Sequence, residues 1–215
     1  MCQMLYTSTM SDASEYMEFT FKPALLAKPK TIRLNDEHLH VWEDGEQKDA
    51  IRFCEITSFR FISTSVNKFK FYQFHLGREG GKPVYLTVNA SALSTPQNDQ
   101  DVATLYRAAQ TLLEKLEPSN LLSDVEIGYA KGGRYAWFGL GVVMVLMAAG
   151  IFGLALSTGV RTEKLWGAAF PLGLLGLIGI MTCLGSNPWA PPQRLPIRDF
   201  LTYLKVELGE PAPDP

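Results

Sequence analysis

The stretch Tyr135–Leu156, YAWFGLGVVMVLMAAGIFGLAL, contains no charge, no Asn, Gln or His, and no proline. It restricts the fold more than any other part of the chain. A helix in a soluble core rarely stays apolar on every face for this length. A helix crossing a bilayer must, because about 20 apolar residues at about 1.5 Å rise each span the hydrocarbon. A second uncharged stretch follows, Leu165–Leu184, LWGAAFPLGLLGLIGIMTCL. The two predict a transmembrane hairpin over 135–185, with spans at 135–156 and 165–184 and a connecting loop Ser157–Lys164.

Outside these runs the chain has an ordinary soluble balance. In total 20 Lys and Arg face 22 Asp and Glu, a net charge of −2. No strongly basic stripe exists to neutralise phosphates, so nucleic acid is not an expected partner. Cys2, Cys54 and Cys183 share no CxxC spacing and suggest neither a disulfide framework nor a zinc site. That usage fits a reducing compartment. The N-terminus lacks a basic region followed by an apolar one, so no signal peptide is expected. Met1 and Met10 are both candidate starts, and residues 1–15 read as a flexible N-terminus.

Residues 16–88 have the period of strands. YMEFTF alternates, TIRL and HLHVW are separated by the turn Asn35-Asp36-Glu37, and Asp44-Gly45 is a hairpin signal. In KFKFYQFHL both faces carry aromatics. Phe69, Phe71 and Gln73 share one side, Lys68, Lys70, Tyr72, Phe74 and Leu76 the other, and Phe69 is read as a core position. GREGG turns the chain and KPVYLTV returns it. The period then changes. In 101–116, Val102, Leu105, Tyr106, Ala109, Leu112, Leu113 and Leu116 follow helical spacing, with Asp101 as the expected N-cap and Pro118 closing the segment. The expected organisation is a soluble domain at 16–118, a linker at 119–134, the hairpin, and a C-terminal extended segment at 186–215. That last segment is proline-rich at first. It then holds a short amphipathic helix with Phe200, Leu201, Leu204 and Leu208 on one side, and ends in a disordered tail.

The pattern in TIRLNDEHLHVWEDGEQKDAIRFCEITSFRF, with the paired strands and closing helix after it, resembles the pleckstrin-homology-like superfamily. More narrowly it resembles the bacterial membrane-associated versions, with Leu39, Ile51, Glu55 and Ile56 in the recurring places. The match covers roughly residues 16–117. It implies an α+β chain: a PH-like antiparallel β-barrel or sandwich capped by one C-terminal helix, followed by an all-α two-helix transmembrane hairpin. Such a scaffold does not fix function by itself. Phosphoinositide-binding members carry basic residues between their first two strands, where Lys28, Lys30 and Arg33 stand here.

His38 and His40 share a strand face and His75 lies on another strand, but no carboxylate or cysteine spacing completes a zinc site, and barrel-rim histidines are the favoured reading. Lys68, Lys70, Arg78 and Lys82 form the best local basic cluster, on one hairpin. It would touch anionic headgroups or simply face solvent, and the solvated face is favoured. Ala149-xxx-Gly153 and Ala169-xxx-Gly173, with Gly176, allow close helix approach, either within the hairpin or to a partner. Packing within the hairpin is favoured. Pro171 would kink the second span. Neither span carries an ionisable residue, which argues against a pump or transporter. No nucleophile triad, phosphate-binding loop or catalytic carboxylate pair is evident.

The sequence therefore predicts a non-enzymatic bacterial inner-membrane protein without cofactor or metal. Its soluble domain acts as an interaction module or an accessory subunit of a membrane complex. The alternative is a tethered sensor of anionic lipid headgroups. Membrane lipids, a membrane-protein partner or a second copy are the candidate partners. Lys and Arg near the span ends (Lys115, Lys131, Arg134, Arg194 and Arg198 against Arg161 and Lys164) give a weak bias. An even number of spans and the missing signal peptide place both termini in the cytoplasm.

Overall fold

The computed structural model describes residues 16–119, 121–159 and 162–211. The fold is α+β, and the chain divides into two units. One comprises the residues up to Gly128 together with those from Gln193 onward; the other is Tyr129–Pro192.

The first unit holds two sheets. β1 (Met17–Phe21), β2 (Lys30–Leu34), β3 (His38–Glu43) and β4 (Glu46–Arg52) form a four-stranded antiparallel meander. The β3–β4 turn is Asp44-Gly45, with φ of 57° and 79°. Left-handed backbone at both central residues matches the twist of a two-residue hairpin. β5 (Ile56–Val66), β6 (Phe69–Arg78) and β7 (Val84–Ser91) follow as a second meander. α1 (Gln100–Leu116) then crosses to β8 (Asp124–Ile127), which pairs parallel with β5. β9 (Gln193–Pro196) pairs antiparallel with β8 and leads directly into α4 (Ile197–Leu208).

One hydrophobic cluster joins both sheets to α1 and α4. Strand alternation supplies Ile32 and Leu34, Leu39 and Val41, Tyr72, Phe74 and Leu76, and Val84, Leu86 and Val88. α1 buries Leu105, Tyr106, Leu112 and Leu113 against them, and α4 adds Ile197, Phe200, Leu201 and Leu204. Phe200 lies 5.5 Å from Phe61 and 6.4 Å from Phe59 between ring centroids, so the last helix packs at the centre of the aromatic core. α4 stops at Gly209, whose φ of 77° is the left-handed cap position. The N–H groups of Gly209 and Glu210 close on the carbonyls of Val206 and Lys205.

Four expectations change. The segments 119–134 and 186–215 are not merely a linker and an extension, because each contributes a strand to the second sheet and α4 belongs to the core. The apolar face of 197–208 needed a surface to cover, and the aromatic core provides it. Asp99, not Asp101, caps α1, accepting from the N–H groups of Asp101 and Val102 at 3.1 and 3.3 Å. Asp101 instead accepts from the Lys22 N–H at 2.9 Å, tying the end of β1 to the helix. Phe69 is 59% exposed, because Tyr72, Phe74 and Leu76 take the core face of β6. The expected flexible N-terminus, residues 1–15, lies outside the described residues.

The second unit is a pair of helices, α2 (Lys131–Ser157) and α3 (Thr162–Gly185). Pro171 lies within α3. The helices meet at Gly141 and Gly179, where an added Cβ on either would fall 2.7 or 2.8 Å from the other's carbonyl oxygen. Ala148 and Gly176 continue the contact, at 3.7 Å from the Gly176 Cβ position. Cys183 Sγ lies 3.6 Å from the Phe138 carbonyl. Arg134 closes the open end of the pair, donating from Nη1 to the Ala190 carbonyl at 2.9 Å and from Nη2 to that of Asn187. The Trp189 ring stands edge-on to Phe138, 5.1 Å away.

Candidate functional site

The outward faces of the two sheets carry the side chains available for recognition. On the first sheet, β3 directs Leu39 and Val41 inward and leaves His38, His40 and Trp42 on the other face. His38 and His40 stack at 5.7 Å. Arg33, on the neighbouring strand, lies 4.8 Å above the Trp42 ring and donates from Nε to Glu18 at 2.8 Å. Pro29, Thr31 and the Asp44-Gly45 turn complete a shallow cleft beside this pair. Burial, then the His38 and Arg33 charges, hold the His40 pKa below its ordinary value.

On the second sheet a row of side chains crosses all five strands. Cross-strand register places Tyr85 opposite His75, His75 opposite Arg60, Arg60 opposite Glu126 and Glu126 opposite Arg194. His75 stacks on Tyr85 at 4.6 Å. Arg60 Nε donates to Glu126 Oε2 at 3.1 Å, and the two side chains are only 17% and 18% exposed. The His75 pKa is lowered by burial and by Arg60, with Glu126 opposing. His75 is thus on a different sheet from His38 and His40. Among the described residues no group of three His, Cys, Asp or Glu is placed to hold a metal ion.

The expected basic residues do not form one patch. Lys28 pairs with Asp44, Lys30 begins β2, and Arg33 is engaged by Glu18 and Trp42. Lys70 extends over the Tyr72 ring at 4.8 Å. Arg78 donates to Asp49 at 2.9 Å. Lys68 and Lys70 stand at one end of β6, Arg78 and Lys82 at the other, about 26 Å apart at about 3.3 Å per residue. The hairpin that suggested a cluster separates its members.

What the Lys68 end does gather is apolar. A groove of about 810 Å³ is lined by Leu25, Leu26, Phe69 and Phe71 together with Lys22, Lys68, Asp99 and Asp101. Leu25 and Leu26, in the β1–β2 loop, are 92% and 97% exposed. The signal was present in the sequence: KPALLAKPK puts two leucines in a loop, where no core demands them.

In the helical pair, the expected small-residue contacts fall differently. Gly176 faces Ala148, but Ala149, Gly153 and Gly173 lie on surfaces the partner helix does not cover, and Ala169 is half-buried. Gly132–Ser157 is long and apolar enough to cross a membrane, and Ala169–Gly185 is a shorter apolar helix. The first residues of the expected second span, 165, 166 and 168, lie outside the described side chains.

Comparison with family models, with curated proteins and with solved structures finds no match to this chain.

Proposed function

We propose that the chain is a membrane-tethered, PH-like interaction module of the bacterial inner membrane, acting without catalysis as an accessory subunit of a membrane complex. The carrying observation is the surface of α2. Val143, Leu146, Met147 and Leu154 are each more than half exposed on a helix with no charge between Tyr135 and Leu156. A continuous apolar surface of that length matches hydrocarbon better than water. Apart from its first and last turns, the backbone of such a helix is satisfied internally, as a bilayer requires.

The PH-like part of the reading is supported by the order of elements. A four-stranded antiparallel meander, a three-stranded antiparallel meander and a helix succeed one another over β1–β7 and α1. β8, β9 and α4 are additions to that plan. They bring both flanks of the helical pair into the same unit, which supports a location of both flanks on the same side of the membrane.

Alkaline carbonate washing of membranes tests the tether: the protein remains in the pellet if the reading holds and is released if it fails. Purification in mild detergent tests the accessory role. A stoichiometric membrane-protein partner supports it, and a chain that purifies alone argues against it.

A further inference from the structure

The two sheets end in the edge strands β1, β4, β7 and β9, and all but β7 are blunted. β4 carries Glu46, Lys48, Asp49 and Arg52, β9 is four residues long and holds Arg194 and Pro196, and β1 is five residues long with Glu18 as its second. Short length, charge and proline keep an exposed edge from pairing with another chain. β7 has none of them. VYLTVNAS is eight residues long, uncharged and free of proline, and its register with β6 is unbroken.

The backbone of β7 alternates between β6 and the open side. The Asn89 N–H donates to the Pro23 carbonyl at 2.7 Å, so Asn89 turns its backbone away from β6. In an antiparallel ladder residues two apart share that direction, and Tyr85 and Thr87 therefore present their N–H and C=O groups at the edge. Among the described residues no backbone hydrogen bond from another element reaches these two residues. Tyr85 is also 49% exposed.

Register and charge favour a second copy as the occupant. Two β7 strands laid antiparallel can set Tyr85 opposite Thr87 of the second copy and Leu86 opposite Leu86, with hydrogen bonds at both Tyr85–Thr87 pairs. The same register sets Pro83, which has no N–H, opposite Asn89, whose N–H is already engaged, so the ladder stops where neither residue can donate. An aromatic against a β-branched residue is a favourable cross-strand pair. No like charges meet, because β7 has none and the two Lys82 side chains would stand about 26 Å apart at about 3.3 Å per residue. On β9 the outward residue is Arg194, since the Ile197 N–H donates to the Ser123 carbonyl, and a self-pairing there would oppose two arginines.

We propose that β7 is a dimerisation edge, to which a second copy of this chain adds its own β7 antiparallel, Tyr85 to Thr87. The inference rests on the membrane-tethered reading, because so short a ladder needs the high effective concentration that two tethers in one bilayer supply. It names one partner and one surface for the interaction module.

The test uses the full chain in its membrane, with Cys2, Cys54 and Cys183 replaced by serine. One tagged copy carries Tyr85→Cys and a differently tagged copy carries Thr87→Cys. A short bis-maleimide should join the two into a dimer, and Lys82→Cys in both copies should give none. In a second measurement, donor- and acceptor-labelled Lys82→Cys chains in the same vesicles should transfer energy efficiently across the expected separation. Thr87→Pro removes an outward N–H and no β6–β7 bond, so it should abolish the transfer and leave the urea midpoint unchanged. Carbonate-resistant protein that gives no 85–87 cross-link, or that cross-links equally at Lys82, overturns the dimer edge and leaves the tethered reading intact. Transfer that survives Thr87→Pro overturns it as well. Protein released by carbonate overturns the tethered reading, and this inference with it.

Discussion

Glu126 and Arg194 stand directly opposite each other on paired strands, with Glu126 Oε1 3.5 Å from Arg194 Nη2. Sixty-odd residues that include α2 and α3 separate them in sequence, yet the two sit side by side in the sheet. Three residues, 128–130, lead from β8 into α2, and seven, 186–192, return from α3 to β9. The helical pair is therefore an insertion in the sequence of the sheet-bearing unit, and the strands that flank it pair in one β-ladder.

The insertion makes the last helix essential to the fold. Phe200 is fully buried against Phe59, Phe61 and Phe74, so Phe200→Ala should lose about 3–5 kcal/mol in chemical denaturation of the full chain. The sequence-based boundary at 118 should fail outright. A fragment ending there lacks β8, β9 and α4, and should show a molten, dye-binding state in place of a cooperative transition. Joining 16–128 to 193–211 by a short flexible linker should restore cooperativity. A cooperative transition from the shorter fragment would contradict this account of the core.

The Arg60–Glu126 pair fastens β8 to β5. Glu126→Ala would leave Arg60 largely buried without its carboxylate and would free Arg194, for a loss of about 1–3 kcal/mol. Hydrogen exchange should report the loss as faster exchange at β8 and β9, with β6 and β7 little changed. Uniform acceleration across the sheet would show that the pair does not act locally.

Acid should weaken the unit through two histidines. Burial holds the pKa values of His75 and His40 below the ordinary value, with Arg60 adding to the effect on His75 and His38 and Arg33 to that on His40. The unfolded chain, with imidazoles near 6.5, then binds more protons than the folded one as pH falls. Their contribution is complete above about pH 6.5 and is lost as pH drops from there toward the lower folded values. The urea midpoint should fall between pH 7.5 and 5.5, and less so in His75→Gln. An unchanged pH dependence in that variant would remove His75 from the explanation.

In the helical pair the decisive positions are Gly141 and Gly179. Gly179→Leu would drive a side chain into the Gly141 carbonyl and Val145, so the detergent-solubilised protein should lose thermal stability. A Cβ added at Gly153 or Gly173 meets nothing within 4 Å, so Gly153→Leu and Gly173→Leu should be close to neutral for the pair. The reverse order would mean that the helices pack through the Ala149 and Ala169 motifs.

Local pattern made much of this legible. The alternation of Leu39 with Val41, the Asp44-Gly45 turn and the helical spacing of Leu105, Leu112 and Leu116 all follow from near neighbours in sequence. The alternation of β6 does not separate Phe69 from Phe74, because the strand has aromatics on both faces and only tertiary burial distinguishes them. The parallel pairing of β8 with β5 was not legible, since four residues, DVEI, carry too little pattern to identify a partner so distant in the chain. Lys68 and Lys70 and, across the strand, Arg78 and Lys82 are near in sequence along one hairpin but lie at opposite ends of β6 in space. Small-residue motifs were visible in the spans, but which glycines meet depends on where the helices cross.

In the proposed topology an apolar hairpin crosses the membrane and returns to the domain it left. Single cysteines at Thr158, Lys82 and Val206, in the full chain with Cys2, Cys54 and Cys183 replaced, test this in intact bacteria. Thr158→Cys, at the hairpin tip, should react with a membrane-impermeant maleimide from outside. Lys82→Cys and Val206→Cys, both in the sheet-bearing unit, should react only after permeabilisation. Labelling of Lys82→Cys and Val206→Cys in intact cells, or labelling of all three only after permeabilisation, would contradict the account.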